Sequence, residues 1–191
     1  MAPEISPKDH LFATAARLFY QHGYRAVGVD MIAAESGIGK MTLYRHYPSK
    51  EALILAFLQA SDTQFWDEFE QVTSGAKTAR AQLTAFFEAL GQYAVSPACF
   101  GCPFLNLATE FPEADHPGHH LSIEHKQAVR ARFEQLVKMA GAKQPRELAD
   151  GLFLLMDGAY MGARMFGPSP ANPASHLAAA ARMLLDAGLR V

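Results

Sequence analysis

Residues 36–53 read SGIGKMTLYRHYPSKEAL. Glycines at 37 and 39 open this stretch, Pro48 closes it, and the four residues Tyr44, Arg45, His46 and Tyr47 crowd the end of what lies between. The residue before a proline is pushed out of α geometry, so a helix that starts after Gly39 must stop before Pro48. Such a helix of about two turns is too short to bury much of itself. Its polar-tipped aromatics and basic groups are therefore expected on a surface.

The flanking pattern says what kind of surface. Upstream, Leu11, Ala15, Leu18 and Phe19 fall at i, i+4, i+7 and i+8, one face of an amphipathic helix predicted to end near Gly23. A second, shorter helix is predicted over Val29 to Glu35, with Met31, Ile32 and Ala33 as its apolar side chains and Gly37 as a left-handed stop. Gly39 is a tolerable N-cap for the third. A fourth starts with Ser49 as N-cap and Glu51 in its first turn, and continues to about Val72 through Leu53, Phe57, Ala60 and Phe65, until Ser74-Gly75 breaks it.

Two short helices joined by a tight turn, over about residues 28–47, make a helix-turn-helix. In such a unit the second helix enters the major groove of duplex DNA and reads base edges from its N-terminal residues. Here these are Lys40, Met41 and Thr42. Lys40 can donate to guanine O6 and N7, and Met41 can touch a thymine methyl. Tyr44, Arg45, His46 and Tyr47 suit phosphate and sugar, which fix register more than sequence. Lys50, just inside the fourth helix, places an ammonium beside a positive helix end where a phosphate can dock. Leu43 faces the opposite way, into a three-helix core.

Charge distribution agrees. The whole chain of 191 residues carries a formal net charge of −2, yet residues 1–50 hold six Lys/Arg against four acids. Only two cysteines occur, Cys99 and Cys102, too few for a disulfide scaffold. The opening MAPEISPKDH lacks the cationic start and apolar run of a secretory signal. Polar residues interrupt every apolar stretch before about 18 positions, so no membrane span is expected. A cytoplasmic protein is expected.

Beyond residue 75 the helical patterns lengthen: 77–95, 103–111, 121–140, 145–166 and 173–188, with Gly and Pro between them. No run alternates with period two for long enough to make a strand. The chain is expected to be all-α, with a DNA-binding domain at residues 5–50 and a larger helical domain at 51–191.

The stretch from Leu11 to Leu55, LFATAARLFYQHGYRAVGVDMIAAESGIGKMTLYRHYPSKEALIL, resembles the DNA-binding domain of TetR-family transcriptional regulators. The likeness lies in Phe19, Gly23 and Tyr24, in Ile32-Ala33, in Gly37 and Lys40, and above all in Thr42-Leu43-Tyr44-Arg45-His46-Tyr47 followed by Ser49-Lys50-Glu51-Ala52-Leu53. Two positions depart from it. Val27-Gly28 stands where a Thr or Ser usually precedes the second helix, and Met41 where Gly is common, so one phosphate contact is lost and the base readout is individual.

The resemblance implies that the remainder binds an effector and dimerises. A homodimer on a double-stranded operator, released by a small molecule of unknown identity or by a thiol-reactive one, is the implied function, with repression the usual mode and no cofactor. Of the apolar and aromatic residues in this half, Phe87, Phe104, Leu105, Phe111, Met156 and Tyr160 are expected to line the effector cavity together with Cys102. Gly151–Phe166 is apolar nearly all round, so it must be buried, and with the Ala-rich Leu177–Leu185 it resembles the family's four-helix dimer interface.

Pro103 at a first helical position makes Cys102 the N-cap of the helix that follows. There a thiol faces the positive helix end, which favours the nucleophilic thiolate. Gly-Cys-Pro-Phe-Leu-Asn is also similar to the same point in electrophile-responsive repressors. The alternative is a thiol–disulfide redox enzyme using Cys99 and Cys102, but that motif needs a βαβ context. No phosphate loop, nucleophile elbow or carboxylate pair supports an enzyme. Finally, His116, His119, His120 and His125 cluster around Pro117-Gly118 without a zinc-like spacing, which points to a polar surface loop and no metal.

Overall fold

The computed structural model describes residues 6–189, so the outer bounds expected for the two domains, residues 5 and 191, lie outside the described residues. Among those residues there are nine α-helices and no strand. They are α1 (Pro7–His22), α2 (Val29–Ser36), α3 (Lys40–His46), α4 (Lys50–Thr73), α5 (Ala79–Ala94), α6 (Pro103–Glu110), α7 (Pro117–Met139), α8 (Pro145–Phe166) and α9 (Leu177–Gly188), the last preceded by a 3₁₀ turn at Pro173–His176.

Local chemistry sets these ends. Ser6 accepts from the Asp9 amide and Pro7 occupies the first turn of α1. Gly37, in the left-handed region at φ 66°, stops α2 and turns the chain toward α3. Ser49 accepts from the Ala52 amide to start α4, and Thr78 does the same for α5 with Ala81.

Two apolar cores result. Leu11, Leu18, Phe19, Val27, Ile32 and Leu43 join Leu53, Phe57 and Leu58 of α4 in a head core, which Phe104 and Leu107 of α6 complete. Phe69, Phe86, Phe87, Phe133, Leu152 and Leu185 belong to the core of the larger body. The helix α4 belongs to both, so a division at residue 50 would separate the head from side chains that fill its own core.

Two expectations need correction. The histidine cluster is helical: His116 caps α7, its Nδ1 accepting from the Gly118 amide at 3.1 Å, and His119, His120 and His125 lie on α7 itself. Pro117 occupies the first helical position of α7, which tolerates proline because its missing N–H has no partner there anyway. Helix α8, expected to be wholly buried, keeps Leu154 at 69% and Met165 at 71% exposure within the single chain. Along it Leu154, Gly158, Met161 and Met165 form one uncovered stripe at helical spacing, and Met183 of α9 is equally bare.

Candidate nucleic-acid interface and the adjoining cavity

Helix α3 is anchored by one side chain. Leu43 is fully buried, while Met41, two residues earlier, is 90% exposed. Tyr44 and Arg45 are exposed too, and Thr42 and His46 are half-buried. Lys40 is exposed and pairs with the Asp30 carboxylate of α2, which raises its pKa. Two expected contact residues are more engaged than their neighbours. Tyr47 ends α3, and its ring lies against Phe12 at 6.5 Å between centroids. Burial, then Asp9, pushes its hydroxyl pKa up. Lys50 points its ammonium at the Arg25 carbonyl, at 3.5 Å, and desolvation lowers its pKa. Gly28 caps α2 with no side-chain hydrogen bond, so the hydroxyl missing from the sequence is not replaced.

The head is tied to the body through α6. Glu110, its last residue, accepts from the Tyr24 amide at 3.0 Å and the Arg25 amide at 2.6 Å. At the other end the Tyr24 hydroxyl donates to the Pro103 carbonyl at 2.9 Å. Tyr20 of α1 reaches past α6: its oxygen lies 2.8 Å from the Tyr93 hydroxyl, donates to the Gly101 carbonyl at 2.9 Å and accepts from the Phe100 amide at 3.2 Å. Burial is the main reason that the pKa of Tyr20 is raised.

Tyr20 is also part of the wall of a cavity of about 190 Å³, with Phe57, Phe65 and Glu68 of α4, Tyr93 of α5, and His125 and Lys126 of α7. Of the expected lining, Cys102, Phe104, Met156 and Tyr160 are there. Three expectations fail. Phe87 is fully buried between Phe86 and Phe133 in the body core. Phe111 lies at the head junction, stacked on His116 at 4.5 Å with the Arg25 guanidinium 4.8 Å from its ring centre. Leu105, on the other face of α6, lines a separate groove of about 260 Å³ with Ile123 and Phe153.

The polar groups of the cavity are mostly committed. His125 is sandwiched, with Phe104 stacked on it at 3.8 Å and Phe65 edge-on at 4.9 Å, and its Nδ1 lies 2.6 Å from the Asp62 carboxylate. An ion pair there would raise the imidazole pKa, but burial outweighs it and the net shift is downward. Lys126 pairs with Asp157. Cys102 is the N-cap of α6 as expected, yet its thiol makes no capping bond and is 4% exposed. Burial raises the thiol pKa of Cys99, and both cysteines are free. Nothing supports the redox-enzyme alternative. Tyr20 and Glu68 escaped the sequence reading: each stands off the apolar stripe of its own helix, and Tyr20 meets Tyr93, Phe100 and Gly101 only far along the chain.

Residues 11–57 match the family described as bacterial regulatory proteins, tetR family. The chain is 33% identical over 142 residues to the transcriptional activator FasR of Mycolicibacterium smegmatis, covering 72% of this chain and 55% of that one. It is 28% identical over 133 residues to the transcriptional repressor ComR of Escherichia coli, covering 67% and 62%. The chain spans only 55% and 26% of the lengths of the first curated relatives that it matches. A solved TetR-family regulator from Streptomyces coelicolor superposes with a TM-score of 0.90 at 28% identity over 96% of both chains. One from Streptomyces avermitilis gives 0.83 at 27%, over 96% of this chain and 98% of its own. The exposed third helix on a buried leucine, the helical body behind it and these likenesses agree: the chain belongs to the TetR family of bacterial regulatory proteins.

Proposed function

We propose that two copies of this chain hold a palindromic duplex operator as a repressor and release it when a small molecule fills the cavity. The observation that carries this reading is α3: Lys40, Met41, Tyr44 and Arg45 are presented to solvent from a helix fixed by Leu43. Lys40, Met41 and Thr42 read bases, and Tyr44, Arg45, His46, Tyr47 and Lys50 hold the backbone. Residues 5–50 carry the DNA contacts in this reading, with the start of α4 completing the core beneath them, and residues 51–191 sense and dimerise. Cytoplasmic placement follows from action on chromosomal DNA, and no helix among the described residues is long and apolar enough to cross a membrane.

A dimer is supported by the bare stripe on α8 and by a groove of about 360 Å³ beside it, lined by Leu154, Gly158, Leu177 and Ala180. An exposed apolar face of this kind marks an interaction surface. Coupling is supported by Tyr20, a head residue whose hydroxyl is in the cavity wall. An occupant that takes the Tyr93 hydroxyl strains the bonds from Tyr20 to Gly101 and Phe100 and so moves α1. Cys102 lies in the cavity wall, so a thiol-reactive effector would reach it by entering the same cavity.

The test is selection of bound fragments from genomic DNA, followed by footprinting. Two protected half-sites about one helical turn apart are expected. Binding without sequence preference, or protection of a single half-site, would refute the reading.

A further inference from the structure

The cavity's charge pattern limits what can occupy it, on the reading that it is the effector site. Glu68 lies where this cavity meets a second hollow of about 300 Å³, and the two share Gln64, Phe65, Glu68, Tyr93 and Tyr160. Among the described residues lining the second hollow, Glu68 is the sole charged side chain. Its recorded hydrogen bond is from the Gln64 amide, at 2.8 Å. Among the described residues no lysine, arginine or histidine pairs with it.

The positive groups of the first cavity are not available to an anion. Lys126 is committed to Asp157, and its ammonium lies over the Phe153 ring at 5.4 Å. His125 is neutral near pH 7, with Nδ1–H turned to Asp62. With Lys126 and Asp157 cancelling, the carboxylate of Glu68 remains as the net charge. Phe65, Tyr93 and Tyr160 line both hollows, and the faces of such rings attract a cation through their quadrupoles.

We propose that the joined hollow takes an organic cation, an alkyl- or aryl-substituted ammonium, with its charged nitrogen held by the Glu68 carboxylate and the rings of Phe65, Tyr93 and Tyr160. A carboxylate or phosphate ligand meets Glu68 with no unpaired cation to offset it. A neutral ligand of the same shape gains the apolar contacts but neither the Coulomb attraction nor the cation–π contribution.

The protein reports on this site itself. Its single tryptophan, Trp66, stands edge-on to Phe65 at 5.2 Å. Trp66 fluorescence, with calorimetry as a second readout, is followed while full-length protein is titrated with benzyltrimethylammonium, its uncharged carbon isostere neopentylbenzene, or phenylacetate. The cation is expected to bind about tenfold more tightly than the isostere, and phenylacetate more weakly than either. Glu68→Gln, which keeps a partner for Gln64, should remove most of the cation's advantage and leave the isostere unchanged. Equal binding of cation and isostere, an advantage that survives Glu68→Gln, or no binding of any probe overturns the proposal. Those results leave operator recognition standing on its footprint. Tight cation binding that leaves operator affinity unchanged instead overturns the effector reading and keeps this one.

Discussion

Met41 and Leu43 are two residues apart and at opposite extremes, 90% and 0% exposed. A large apolar side chain held in water has no folding reason to be there, which is why Met41 is assigned to a thymine methyl. Lys40→Ala should relax preference at one base pair by about tenfold, while Tyr44→Phe should weaken all duplexes alike. Competition binding against single-base variants of the operator decides; a uniform loss for Lys40→Ala would remove it from the readers. His125 gives a second prediction. Burial, against the pull of Asp62, holds its pKa below the usual range, whereas the unfolded chain takes up a proton near ~6.5. The unfolded state therefore binds more protons as pH falls, so this contribution is complete above about pH 6.5 and is lost below it. Melting temperature should fall between about pH 7.5 and 5.5, and His125→Gln should flatten that fall. Local signals revealed the α3 residues, because all are fixed by one turn and one buried leucine. They did not reveal His125, whose environment comes from Asp62 on α4 and Phe104 on α6.

At the scale of elements, α6 is eight residues long and attached to the head at both ends. Glu110 satisfies two amides in the turn after α1, and at this turn Gly23 adopts φ 89°. A side chain at Gly23 would bring its Cβ to 2.7 Å from the Glu110 carboxylate, so the turn and the carboxylate fit closely. Glu110→Ala leaves both amides without that acceptor and should destabilise the head by about 1–3 kcal/mol. Glu110→Gln, still an acceptor, should cost less. Hydrogen exchange at Tyr24 and Arg25 against exchange in α8 measures the effect, and equal change in both regions would show that Glu110 serves the whole fold. Helix boundaries were mostly legible in Ser49, Pro103 and the glycine stops, since capping is a matter of a few neighbouring atoms. The start of α7 was not, because Pro117-Gly118 reads as a turn until His116 is seen to cap it. The clamp of α6 on α1 had no signal at all, for Tyr24 and Glu110 are 86 residues apart.

For the whole molecule, the uncovered stripe of α8 connects two expectations. A charge there should be tolerated by the single chain, since Leu154 is 69% exposed and the Gly158 position faces open space. It should not be tolerated between two chains, where it would be buried without a partner. Leu154→Glu should therefore keep its helicity but elute as a monomer, and a dimer that survives would move the interface elsewhere. In the proposed two-headed complex, Arg45 and Lys50 of each head together neutralise about four phosphates, and a slope of log affinity against log salt of about −4 follows. One head neutralises about half as many. The monomeric variant should show about half the wild-type slope, together with a large loss of affinity at physiological salt, because the second half-site no longer binds within the same complex. A variant that is monomeric yet retains the full slope would mean that one chain contacts the whole site, and the two-headed arrangement would have to be abandoned.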